Sequence, residues 1–90
     1  MILPDLPGAD LIAAGIRDLA AGRESVESLL VSMSAPRLRA LGLSVAEPFS
    51  DAEVRLYRLL SDKHGLAAHA RYNALVRRIV SYQRAAACAN

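Results

Sequence analysis

His64 and His69, the serines at 25, 28, 32 and 34, Cys88 and ten arginines are the side chains of this 90-residue chain that could hold a metal, attack a carbonyl or grip a phosphate. A helical metal site wants histidines at i and i+4 on one face. His64 and His69 are five apart and straddle Gly65, so they do not share a face. The four serines have no histidine or carboxylate at a spacing that would activate a hydroxyl, and no nucleophile-elbow sequence surrounds them. Ser25 and Ser28 read instead as helix-capping residues. The glycines at 8, 15, 22, 42 and 65 are dispersed and form no phosphate loop. Cys88 has no second cysteine for a disulfide or a zinc cage, so a reducing cytoplasm is the expected setting. No catalytic residue, cofactor or metal is expected, and the chain reads as a non-enzyme.

Arginine is what remains. The stretch HARYNALVRRIVSYQR, residues 69–84, holds four arginines and no acid. Residues 66–90 carry four Arg and no Asp or Glu, a charge of +4; residues 1–65 carry seven basic and nine acidic side chains, a charge of −2. At 100° per residue, Ala68, Tyr72, Leu75, Val76, Ile79, Val80 and Tyr82 cover an arc of about 160°, wider than the ~100° of an ordinary surface helix. Arg71 and Arg78 form a row beside Tyr82, and Arg77 and Arg84 form another beside Asn73.

Three uses fit this pattern. The arginines can pair within the fold with Asp10, Asp18, Glu24 or Glu27. Alternatively Arg71, Tyr72, Val76, Arg77, Arg78, Val80, Tyr82 and Arg84 meet a partner protein, since Arg and Tyr are favoured interface anchors. In the third reading, the arginines touch phosphates. A nucleic-acid reader would add Arg37 and Arg39, at the head of a short helix after Ser34-Ala35-Pro36, in a helix-turn-helix arrangement. Against that stand the brevity of such a helix and a net charge of only +2.

The elements expected to position these residues are all helical. Residues 1–8, with Pro4, Pro7 and Gly8, read as an extended arm, and residues 9–90 as a single helical domain. A first helix is expected over Ala9–Ala21, with Leu11, Ile12, Gly15, Ile16 and Leu19 on one side and Gly22 as its stop. The second is expected over Glu24–Met33, on the stripe Val26, Leu29, Leu30, Met33. Pro36 suits the first position of a short third helix ending at Gly42. Ser50-Asp51-Ala52-Glu53 has the form of a capping box for a fourth, with Phe49 positioned to staple onto Val54. That helix carries Val54, Leu56, Tyr57, Leu59 and Leu60, apolar over most of its circumference, and ends at Gly65. A long last helix runs from about Leu66 to Ala87. The expected fold is therefore an all-α, compact bundle of about five short helices with a long C-terminal helix.

Hydrophobic residues make up 53% of the chain and mean hydropathy is +0.22, with only three Tyr, one Phe and no Trp. Disordered chains are poorer in apolar residues than this. MILPDLPGAD has neither a basic start nor a long apolar run, and no segment approaches the ~18 apolar residues of a membrane span. Five small helices cannot easily hide this much apolar surface in one monomer core. A small cytoplasmic homo-oligomer is expected, most simply a two-fold dimer, acting as an adaptor or antitoxin-like regulator through protein binding. The alternative is a nucleic-acid-binding regulator; a membrane role is not expected, because the apolar face is needed for the core.

Overall fold

The computed structural model describes residues 5–89. Four α-helices and one 3₁₀ turn follow in order: α1 (Ala9–Ala20), α2 (Val26–Ala40), α3 (Ala52–His64), the turn Gly65–Ala67, and α4 (Ala68–Ala89). The described residues contain no strand. Residues 1–4 of the expected arm lie outside the described residues, and residues 5–8 form a turn rather than extended chain, with Leu6 packed on the core.

The termini of α1 and α2 explain how the first hairpin closes. The Gly22 N–H donates to Leu19 O at 3.0 Å and the Arg23 N–H to Asp18 O at 2.8 Å. This paired closure requires a left-handed residue at the turn, and Gly22 supplies it with φ 70°. Ser25 and Ser28 then cap α2 reciprocally: Ser25 Oγ accepts from the Ser28 N–H at 3.0 Å, and Ser28 Oγ accepts from the Ser25 N–H at 2.8 Å. The Ser25 hydroxyl also donates to Asp18 Oδ2 at 2.8 Å, tying the two helix ends together.

The expected second and third helices are one. Residues 26–40 are continuous α-helix with Pro36 inside it, so the count is four rather than about five. Pro36 has no N–H to give Ser32, a local cost of ~3 kcal/mol in a helix interior. Burial outweighs it: Leu29, Leu30, Val31, Ala35 and Leu38 are each 1% exposed or less, and breaking the helix would remove Ala35 and Leu38 from the core. Pro36 itself is exposed, where its ring displaces nothing buried.

The α3 start also differs from expectation. Asp51 is the N-cap, in the left-handed region at φ 52°, ψ 36°, and makes no side-chain cap bond, so the Ser50–Glu53 capping box does not form. The preceding connector explains why. Arg39 donates to the carbonyls of Val45 and Ala46 at 3.0 Å each, and the Phe49 N–H donates to Ser32 Oγ at 3.1 Å. With the connector held at both points, the chain enters α3 through a left-handed residue, a conformation Asp tolerates better than most. Nor does Phe49 staple onto Val54: Phe49 packs on the core with the Arg55 guanidinium 5.7 Å from its ring, while Val54 is 57% exposed.

Helix α2 is the centre of the bundle, contacting α1, α3 and α4. The core draws Ile12 from α1, Leu29, Leu30 and Leu38 from α2, Leu56 and Leu60 from α3, and Ile79 and Tyr82 from α4. On α4 Ala68, Ile79, Tyr82 and Ala86 are buried and Tyr72, Leu75, Val76 and Val80 are half-buried, so the wide apolar arc is covered at its Tyr82 edge and partly open at its Val80 edge.

Tyr82 makes the fold sensitive to alkali. Burial raises its phenol above the ordinary tyrosine value, and burial followed by the Glu53 charge does the same for Tyr72. A raised folded-state pKa means stability that is complete below the unfolded value of about 10 and is lost as pH rises through the folded one. The melting temperature should therefore fall above about pH 10, and Tyr82→Phe should flatten part of that fall. Melts of the two proteins with identical alkaline slopes would remove Tyr82 from the account.

Candidate functional site

A cleft lies toward each end of α4. The first is between α3 and the opening half of α4, about 620 Å³, with Val54, Tyr57, His69 and Tyr72 in its lining. The ring of Tyr57 stands 5.7 Å from Tyr72 and 6.3 Å from His69, tilted by 53° to each. Val54 is 57% and Tyr57 40% exposed, and Leu66, on the 3₁₀ turn joining the two helices, is fully exposed. These three are the large hydrophobic residues the described fold leaves in water. The reason is geometric: α3 buries Ala52, Leu56 and Leu60 against the core, and Val54 and Tyr57 fall on its other sides.

The second cleft runs between the closing halves of α2 and α4, as two adjoining depressions of about 300 and 400 Å³ that share Arg37, Val80 and Gln83. Leu30 and Met33 face Val76 and Ile79 in the first, and Ala40 and Leu41 face Arg84 and Ala87 in the second. Residue numbers rise together along both walls, so α2 and α4 run parallel here. Val76, Val80, Met33 and Leu41 are half-buried, while Arg37 and Arg84 are exposed at the edges.

The structure separates the sequence-derived candidates into groups. Tyr72 belongs to the first cleft, and Val76, Val80, Arg84 and Arg37 to the second. Tyr82 is 2% exposed and belongs to the core, so it cannot contact a partner without unfolding α4 from the bundle. Arg78 donates to Asp10 Oδ1 at 2.9 Å, the pairing within the fold that was one of the three uses. That hydrogen bond and the guanidinium charge lower the Asp10 carboxyl below its usual range. Arg71 is exposed over a third depression with Leu11, Lys63 and His64, and Arg77 is exposed on the outer side of α4.

Arg39 is engaged by the connector carbonyls, and α2 is continuous through Ser34-Ala35-Pro36. Arg37 and Arg39 therefore do not lead a separate recognition helix. Among the described residues, the carboxylate partners of arginine are Asp18 for Arg23, Glu24 for Arg55 and Asp10 for Arg78. Arg37, Arg77 and Arg84 have none.

Met33, Leu41, Gln83 and Leu66 were absent from the sequence-derived candidates. Only the side-by-side placement of α2 and α4 brings the first three to one cleft, and Leu66, expected at the start of the last helix, lies on the turn before it. No three His, Cys, Asp or Glu side chains come together as a metal cluster among the described residues, and no helix there is long and apolar enough to cross a membrane. No protein-family model, curated protein or solved structure matches this chain.

Proposed function

We propose that the protein is a non-enzymatic protein–protein interaction module that self-associates as a two-fold dimer through α3 and the opening half of α4, and serves in the cytoplasm as an adaptor or antitoxin-like regulator. The observation that carries this reading is the exposure of Val54 and Tyr57 at the cleft between α3 and α4. A two-fold axis would set that patch against its own copy, which is how an apolar face becomes buried without a second gene product. A standard interface covers about 800 Å² per partner, roughly a seventh of the 5423 Å² surface of this chain. Tyrosine supplies a large, rigid contact area at such surfaces.

The reading is tested by the double variant Val54→Glu, Tyr57→Glu. Both positions are exposed, and Val54 lies in the first turn of α3, where a carboxylate suits the helix dipole. The variant should keep its helical content while its dimer dissociates at least tenfold more readily in light scattering, and its melting temperature should lose the concentration dependence that a dimer confers. An unchanged mass at matched concentration would overturn the assignment. The nucleic-acid alternative rests on fewer groups than its sequence suggests. Arg39 and Arg78 are engaged within the fold, leaving Arg37, Arg71, Arg77 and Arg84.

A further inference from the structure

Beyond self-association, the α2–α4 cleft has a chemistry of its own. Between Glu27 and Glu47, and again after Asp62, the chain carries no carboxylate side chain. Both walls of the cleft come from those acid-free segments, so its charged side chains are cationic: Arg37 on one wall and Arg84 on the other, with Arg77 outside the edge. None of the three has a carboxylate partner among the described residues. The parallel helices bring two C-termini to the same end, each worth about half a negative charge. That is smaller than the arginine charge, and the cleft edge stays positive.

The floor between the arginines is apolar, with Val76, Val80 and Met33 half-open to water. From Val76 to Ala87 the wall extends about 16 Å at 1.5 Å per residue, three helical turns. An apolar trough of that length takes the side chains at i, i+3 or i+4, and i+7 of one amphipathic helix. The unbranched Met33 adapts to whichever side chain enters.

We propose that this cleft binds an acidic amphipathic helix of a partner protein, its apolar stripe on Val76, Val80 and Met33 and its carboxylates on Arg37 and Arg84. The probe is a fluorescein-labelled helical peptide of about 15 residues with leucines at that spacing and flanking glutamates, titrated by fluorescence polarisation into the full chain. Control peptides replace each Glu by Lys, or each Leu by Ser. The acidic peptide should bind saturably, and both controls at least about tenfold more weakly. Arg37→Glu with Arg84→Glu should lose the acidic peptide by a similar factor and gain the lysine peptide, with helical content kept and the melting temperature lowered by only a few degrees, because both residues are exposed and Arg37 lies in the last turn of α2.

No saturable binding of the acidic peptide would overturn the proposal, as would equal binding of either control or indifference to the arginine reversal. Tighter binding of a 15-nucleotide oligothymidylate than of the peptide would transfer the arginines to nucleic acid. Light scattering on the same samples reads self-association separately. If reversal of Arg37 and Arg84 turns a dimer into a monomer, the cleft belongs to the second copy and the proposal fails.

Discussion

Leu30→Ala should lower the unfolding free energy by about 2–5 kcal/mol. Leu30 is 1% exposed, in the second turn of α2, which packs against α1, α3 and α4. Its side chain forms the floor beneath Val76 and Ile79 of α4, so truncation removes the transfer free energy of the lost methyl groups and leaves a void under α4. The helix itself gains nothing that compensates, because alanine exceeds leucine only slightly in helix propensity. For a domain of this size each kcal/mol is worth about 4–8 °C in melting temperature, so the loss is large against a total stability of about 5–15 kcal/mol. Urea unfolding should show a lower midpoint with an unchanged slope. A loss below about 1 kcal/mol would mean that Leu30 does not hold α4 to α2.

Gly15→Ala should destabilise by about 1–3 kcal/mol, although alanine is the better helix former by about 1 kcal/mol. A Cβ built on Gly15 would overlap the Glu27 carbonyl oxygen and Val31 Cγ2. The oxygen is backbone within α2 and cannot turn aside, so α1 must move outward. That movement would loosen Ile12 and Leu19, which flank Gly15 on the buried face of α1. The interhelical overlap therefore outweighs the propensity gain. Thermal melts decide the sign: a variant more stable than the parent would show that α1 and α2 do not approach this closely.

Local features were legible in the sequence where neighbours along the chain decide the outcome. The α1 stop at Gly22, the α3 stop at Gly65 and the capping role of Ser25 and Ser28 depend on a few consecutive residues, and the structure agrees at each. Pro36 was misleading because its local cost is overridden by Ala35 and Leu38, whose burial no local rule reports. Asp51 was misleading because Arg39 and Ser32, both in α2, hold the connector that leads into it. The same division runs through the candidate site. Helical periodicity revealed that α3 and α4 have more apolar surface than one face can hide, and Val54 and Tyr57 carry that surplus on α3. Periodicity gives the width of an arc without saying which part is covered, so Tyr82 could not be told from Val80. The Arg78–Asp10 pair spans 68 positions in the chain, and the α2–α4 cleft exists only through packing.

The proposed self-association is tested most directly by the solution mass of the unaltered protein. Size exclusion with light scattering, at tens of micromolar and physiological salt, should return twice the 9.6 kDa chain mass, falling toward one chain on dilution. A constant 9.6 kDa across that range would contradict the dimer and leave Val54, Tyr57 and Leu66 as unexplained exposed surface.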